Sequence, residues 1–335
     1  MPFISVAAMT WLVLLRTFST ALDPTLEEAW KEWRKTHMKI YSKGKEEAFR
    51  RTIWEENLAM VKQHNREAVL GKHTYRMGMN QFSDWTDEEF DQRMSCFDLE
   101  LAEATGWNKT IFQDSDALET PKWVDWRTNG HVTQVKDQGK CGSCWAFSAT
   151  GALEAFHFKN TGKLVSLSEQ NLIDCARKPG EGCEEGYYTT AFKYVQDNKG
   201  INSEETYPYE GEEGLCRYQP SKKVATCTDF RSYGDWDETH LEKLVATVGP
   251  ISVSVNANCL RHYESGILYS ESCSKTTNHA MLVVGYVSTK KNAETFGYWI
   301  LKNSWGTHWG RNGYGRIAKG AGNQGGIGSY YGFPV

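Results

Sequence analysis

Hydrophobic positions follow different rules in successive stretches of the chain. Phe3 to Leu15 is a largely apolar run of 13 residues, short for a membrane span and the right length for a signal-peptide core. Ser19 and Ala21 place small residues at positions −3 and −1 of a cleavage site, so residues 1–21 read as a removable leader, although no Lys or Arg precedes the run. From residue 25 to about 95 the chain is strongly charged and its pattern is helical. Trp30, Trp33, His37 and Ile40 or Tyr41 recur at three- and four-residue steps. A second helix is predicted from about Lys45 to Leu70, stopping at Gly71. Residues 98–120 have no clear period and read as a linker ending at Pro121. Helical patterns return over Trp145–Lys159, Ser168–Cys175 and Tyr187–Asn198. From Gly249 the pattern changes to strands at Ile251–Val255, Ala280–Val287, Tyr298–Lys302 and Tyr314–Ala318, rich in β-branched and aromatic residues. A helix-rich half followed by a strand-rich half predicts an α+β domain of two lobes with a cleft between them. There is no internal repeat and no low-complexity tract.

Composition narrows the function. Of 335 residues, 40% are apolar and 24% charged, and Lys+Arg 38 against Asp+Glu 42 leaves a net charge of −4. That balance argues against nucleic-acid binding as the main task and against a multi-pass membrane protein. Eight of the nine cysteines lie after residue 140, which fits an oxidising compartment and a bridged domain. Their number allows four bridges there, or three bridges and two free thiols.

The densest chemistry is the run Gln138-Gly139-Lys140-Cys141-Gly142-Ser143-Cys144-Trp145. Cys144 sits where a Gly-rich loop enters an apolar helix, and a helix N-terminus eases thiol ionisation. Cys141 and Cys144 also form a C-x-x-C, which reads equally as a redox dithiol or as half of a zinc site. No second Cys or His pair at matching spacing supports zinc. Asn278-His279-Ala280 opens one strand and Asn303-Ser304-Trp305-Gly306 closes the next. A thiol, an imidazole and an orienting amide form a nucleophile, a base and its positioner. Taken singly, His279 reads as a structural strand-edge residue and Asn303 as a turn cap; together they fit a site built across two lobes.

These residues carry a resemblance. Cys-Gly-Ser-Cys-Trp with a His and an Asn about 130–150 residues downstream is the signature of papain and the cathepsins; here His279 lies 135 residues after Cys144, and Asn303, at 159, lies a little beyond that window. Residues 120–335 resemble a papain-like cysteine protease of the cathepsin L type, with a helical lobe and a β-barrel-like lobe. Glu46, Arg50, Trp54, Asn57, Val61 and Asn65, at steps of 4, 4, 3, 4 and 4 on one helical face, resemble the prodomain helix of that family. Gly78, Asn80, Phe82 and Asp84 resemble its second prodomain motif. On spacing alone Glu46 and Arg50 are placed to pair at i,i+4. The resemblance implies that residues 22–119 form an inhibitory propeptide lying through the cleft, with Cys96 and the sequon Asn108-Lys109-Thr110 inside it.

What the resemblance implies for chemistry is specific. Cys144 and His279 would form a thiolate–imidazolium pair, Asn303 would orient His279, and Gln138 with the Cys144 N–H would stabilise the oxyanion. Trp305 would shield the His279–Asn303 hydrogen bond and Trp309 would line the leaving-group side. The substrate backbone would meet Gly186, Tyr187 and Asn278, and Tyr188, Ser254, Thr277, Ala280 and Tyr330 would line the S2 pocket. Two tyrosines there predict a narrowed pocket, poorer for Phe than for Val, Leu or Pro. Glu185 replaces a family glycine and predicts an acidic outer subsite favouring basic residues. The family pairing implies Cys141–Cys183 and Cys175–Cys216 bridges. The usual C-terminal cysteine is missing, so Cys273 is assigned to Cys259, leaving Cys144 and Cys227 free, with Cys227–Cys273 as the alternative. No metal or cofactor is expected. Expected partners are protein substrates, the chain's own propeptide and cystatin-like inhibitors, for a monomer that is lysosomal or secreted and acid-activated. A catalytically weak peptide-binding protein on the same fold, and an inhibitor built on the prodomain, are the competing readings.

Overall fold

The computed structural model describes residues 22–335 apart from 43, 97–118, 179, 235 and 292–293. The apolar leader, Asn108 and most of the expected linker lie outside the described residues. The N-terminal part contains α1 (Glu27–Thr36), α2 (Lys45–Val69), β1 (Tyr75–Met77) and α3 (Asp87–Met94). Its own core is small and aromatic. Trp30 stacks on Trp33 and meets Trp54 edge-on, each at 5.4 Å. The expected first helical face runs only to Trp33. The helix closes at His37, Met38 takes a positive φ and Ile40 is 91% exposed. Tyr41 returns from outside the helix to stack on Trp30. The Glu46–Arg50 pair is also corrected. Glu46 accepts from the Ser42 backbone and hydroxyl, while Arg50 makes a two-pronged contact to Glu89 at 2.5 and 2.7 Å, because α2 packs against the start of α3. That start is fixed by a Thr86–Glu89 capping box.

The remainder forms two lobes. Its elements are β2 (Trp123–Asp125), α4 (Cys144–Thr161), α5 (Glu169–Cys175), α6 (Tyr188–Asp197), β3 (Ile201–Asn202), β4 (Lys223–Ala225), β5 (Phe230–Tyr233), α7 (Glu238–Thr247), β6 (Ile251–Val255), β7 (Tyr263–Gly266), β8 (His279–Lys291), β9 (Glu294–Lys302), β10 (Tyr314–Lys319) and β11 (Tyr331–Pro334). The main sheet runs β10-β9-β8-β6-β11-β5, all antiparallel, and β2 pairs with β8 at Gly285–Val287, beyond the β6 register at His279–Val283. Helices α4, α5 and α6 share one apolar core; the sheet and α7 form another. The chain crosses between lobes at both ends. β2 joins the sheet before the helices begin, and Tyr330 joins the helical core after the last long strand.

Helix α4 is the axis of this arrangement. It is apolar on nearly every face and buried over most of its length, as a helix packed on all sides must be. Gly151 lets it approach β8, since a Cβ there would lie 2.7 Å from a Leu282 methyl carbon. Ser148 Oγ donates to the Met281 carbonyl at 2.7 Å and Ser252 Oγ donates back to the Ser148 carbonyl at 2.9 Å. Gly151→Val should push α4 from β8 and cost about 1–3 kcal/mol as an overpacked core. Thermal unfolding is expected to show a lower midpoint, and an unchanged midpoint would contradict the close-approach account.

Candidate active site

Close packing of α4 on β8 sets the N-terminus of one against the first residue of the other. Cys144 is the first residue of α4 and His279 the first of β8, and both are fully buried. The Ala280 N–H donates to Cys144 Sγ at 3.4 Å. His279 Nε2 lies 2.9 Å from Asn303 Oδ1, which also accepts from the Ser304 N–H at 2.8 Å. That second bond fixes the amide with its oxygen toward the ring, so Nε2 carries the proton and Nδ1 faces the sulfur. Burial pushes the imidazole down to about 4, against the opposing hydrogen bond to Asn303. Trp305 stacks on the His279 ring at 4.7 Å and rests edge-on against Trp309. Trp309 is itself fully buried and donates to the Leu260 carbonyl.

Gln138 is held from three sides. Its N–H donates to the Ser304 carbonyl at 2.8 Å, its side-chain oxygen accepts from Ser304 Oγ at 2.7 Å, and its carbonyl accepts from Tyr209 Oη at 2.7 Å. Its side-chain Nε2 donates to the Cys141 carbonyl. Gly306 completes this seam, because a Cβ there would strike the Asp137 carboxylate.

The N-terminal part covers the site. Phe82 and Phe90 meet Trp305 edge-on, and Gln81 donates to its carbonyl. Asn80 donates to the Arg261 carbonyl at 2.6 Å, and Arg261 reaches back to Asp87, the Phe82 carbonyl and the Trp85 carbonyl. β1 pairs antiparallel with β7, and the Gly78 N–H donates to the His262 carbonyl at 2.9 Å. Within the N-terminal part, Asn57 and Asn65 hold the Ser83 and Met77 backbone, Asp84 accepts from Lys39 and Tyr41, and Trp54 and Val61 are buried.

Cys144 is not a free thiol here. It is bonded to Cys96, a residue left unassigned by the sequence reading. The Cys96 N–H donates to the Asn278 carbonyl at 3.1 Å and its carbonyl accepts from the Gly186 N–H at 3.2 Å, so the segment is pinned to both walls of the cleft. Nothing in the spacing of Cys96 distinguishes it from a buried thiol; only the docking brings it to Cys144. The other bridges are Cys141–Cys183, Cys175–Cys216 and Cys259–Cys273, and Cys227 is free and buried.

The remaining sequence-selected positions have these surroundings. Gly186 is required by close approach, since a Cβ would overlap the Trp145 ring. Tyr187 precedes α6 and Tyr188 opens it. The Tyr188 and Tyr330 rings stack at 5.6 Å, Ser254 Oγ donates to the Tyr330 carbonyl, and Ala280 is the register partner of Ser254. Thr277 lies against the Gly326 turn. Glu185 is only partly unscreened, because Arg177 lies 3.7 Å away and also pairs with Glu181.

Residues 120–335 match the papain family cysteine protease model, and residues 30–90 match the cathepsin propeptide inhibitor domain. The chain belongs to the papain family of cysteine proteases. It is similar to cathepsin L2 of Homo sapiens, 46% identical over 93% of this chain and 93% of that protein, and to procathepsin L of Felis catus, 48% identical over 94% of each. Among solved structures, the digestive procathepsin L 3 of Tenebrio molitor larval midgut superposes with a TM-score of 0.83 at 38% identity, over 93% of this chain and all of that one. This papain-family protease is a proenzyme that carries its own propeptide inhibitor domain. No helix among the described residues is long and apolar enough to cross a membrane.

Behind the active site of this papain-family proenzyme lies a buried charged cluster that sequence reasoning missed. Lys136 Nζ contacts Glu154 at 3.1 Å and Glu169 at 2.6 Å, and Lys302 Nζ donates to Thr133. Its members are scattered along the chain with no common spacing. Burial pushes Glu169 up to about 7, against the attraction of Lys136. A carboxyl with a raised folded pKa adds stability that is complete below its ordinary value near 4.5 and disappears as pH climbs to about 7. Glu169→Gln is therefore expected to flatten the fall in melting temperature between those pH values. A variant with the wild-type slope would show that Glu169 does not titrate there.

Proposed function

We propose that the mature enzyme is an endopeptidase in which Cys144 is the nucleophile and His279 its base, and that residues 22–119 are the segment removed. The observation that carries this is the Asn303–His279 bond beside Cys144 at the α4 N-terminus. Freed from Cys96, the Cys144 thiol passes its proton to His279 Nδ1, and the helix end and the imidazolium stabilise the thiolate. The thiolate adds to the peptide carbonyl. The Cys144 N–H and the Gln138 amide stabilise the oxyanion, once Gln138 exchanges its bond to the Cys141 carbonyl for the substrate. His279 protonates the departing amine, and water, deprotonated by His279, hydrolyses the thioester. Asn303 keeps the ring in one tautomer throughout, with Trp305 over it. Cys144→Ala should lower kcat by at least about 10³-fold while the protein stays folded; retained turnover would reject this assignment.

Tyr188 and Tyr330 support a narrowed S2 pocket. A fluorogenic panel varied at P2 is expected to favour Val, Leu and Pro over Phe, and Tyr330→Ala is expected to restore Phe by roughly 10-fold, the scale of a reshaped apolar pocket. Equal wild-type cleavage of Phe and Val substrates contradicts the narrowing. Glu185, tempered by Arg177, favours a basic residue at P3.

Acid release of the prodomain has a structural basis in its interface. Burial pushes His37 down to about 4, with His308 and Lys39 adding to the effect and Asp84 opposing it. His262 is pushed down to about 3 by burial and Arg261, against the Gly78 backbone. An imidazole held neutral on docking costs docking stability as pH falls below its ordinary value near 6.5. Inside the prodomain, hydrogen bonds from Arg50 lower Glu89, so the stability this pair gives the prodomain itself is lost at the acid end of the same range. In the presence of a thiol, the processing rate should rise as pH drops from 6.5 to 4, more gently in His37→Gln. Equal rates at both ends would remove the acid trigger. The three bridges of the enzyme part fit a lysosomal or secreted monomer, and an open cleft of this kind suits cystatin-like inhibitors.

A further inference from the structure

The prodomain does more than lie in the cleft. We propose that Cys96 is a covalent brake, so that the proenzyme is formed with its nucleophile held in a disulfide to its own prodomain and activation requires a thiol as well as acid. The inference rests on Cys144 being the nucleophile.

Several separate contacts bring the two cysteines together. The Cys96 backbone bridges Asn278 and Gly186 on opposite walls. Asn278 Nδ2 donates to Ser95 Oγ at 3.2 Å. The helix just before, α3, is clamped by Arg261 through Asp87 and buries Phe90 and Met94. Its side chain is thereby aimed at the one place in the cleft where a sulfur waits. Cys96 is 1% exposed, and its sulfur, the Cys144 sulfur and the His279 ring all lie within 4.8 Å of one another.

The chemistry is balanced thiol–disulfide exchange. On folding, the two thiols reduce a disulfide donor of the kind that makes the other three bridges, and two donor thiols are released. For activation, an incoming thiolate attacks Cys96 Sγ, the S–S bond breaks, and Cys144 leaves as a thiolate that takes its proton back from solvent or shares it with His279. A second thiol then frees Cys96 and forms the external disulfide. Cys144 is the better leaving group because the helix end and His279 lower its basicity. Acid cannot break this bond. It loosens the ion pairs and buried histidines over it, opening a disulfide that is otherwise sealed from solvent. Cleavage of the prodomain elsewhere leaves the fragment bearing Cys96 attached and the enzyme blocked. Acid therefore acts first and the thiol second.

The test uses the full proenzyme, purified without reductant, as wild type and Cys96→Ser. Each is brought to pH 4.5 with a trace of an acid-active aspartic protease as starter, which neither the reductant nor the epoxide probe affects and which is inhibited before activity is read, with or without a phosphine reductant that works in acid. Activity is read on a fluorogenic peptide and free Cys144 by an epoxide thiol probe. Wild type without reductant is expected to keep the Cys96 fragment on Cys144 in non-reducing peptide maps, to resist the probe, and to gain at least about 20-fold in activity on reduction. Cys96→Ser is expected to label and cleave without reductant, at about the rate of reduced wild type. A wild-type proenzyme whose Cys144 alkylates freely before reduction, or equal reductant dependence in both proteins, overturns the brake. If both proteins stay inert when fully reduced and processed, it is the assignment of Cys144 as nucleophile that fails.

Discussion

Everything at the catalytic centre depends on how closely α4 approaches β8. A helix interior glycine costs about 1 kcal/mol against alanine, yet Gly151 sits in the middle of a buried helix because Leu282 occupies the space a Cβ would need. The reciprocal bonds of Ser148 with Met281 and of Ser252 with Ser148 lock the two elements in register. With that contact made, the first residue of the helix and the first residue of the strand must be neighbours. Asn303, at the end of the adjacent strand β9, follows from the β8–β9 pairing, in which Leu282 lies opposite Lys302.

The same centre explains how the prodomain recognises the enzyme. It does so less by covering a large apolar face than by completing features that the cleft leaves open. β1 extends β7, the Phe82 and Phe90 rings close over Trp305, and the Arg261 guanidinium finds three acceptors in the prodomain. The backbone at Cys96 pairs with the Asn278 carbonyl and the Gly186 N–H on the two walls of the cleft. On the proposed function, inhibition and substrate binding draw on the same hydrogen-bonding groups, so the propeptide has to leave before a substrate enters. Charged and titratable groups are concentrated on this interface and behind it, in the His37–His308 contact and the Lys136–Glu154–Glu169 cluster. His37 is pushed down and Glu169 up by burial, so the two respond to acid in opposite senses.

Much of this was legible in the chain, where local patterns carry the information. The β6 strand at Ile251–Val255, the stop of α2 before the positive-φ Gly71 and the Ser168 start of α5 follow from apolar pattern and end-signal chemistry, since both act over a few residues. Strand ends were underestimated at β8 and β9, which run on as a long hairpin to Lys291 and from Glu294; the added residues lack the apolar alternation of the core. The Glu46–Arg50 pairing was misjudged because helical spacing only permits a contact, and Glu89 from another helix offers Arg50 two oxygens at once.

The chain by itself determined the chemical inventory: a thiol at a helix entrance, an imidazole opening one strand, an amide closing the next, and a prodomain helix with a fixed polar stripe. These are local properties, set by side-chain type and by periods of two and 3.6 residues. Tertiary structure alone decided which thiol meets Cys144. Cys96 and Cys144 are 48 residues apart, and nothing in either neighbourhood encodes the other. They meet because α3 is clamped to the β lobe while α4 is packed against β8, and contacts between distant segments depend on the whole fold's packing rather than on any local pattern.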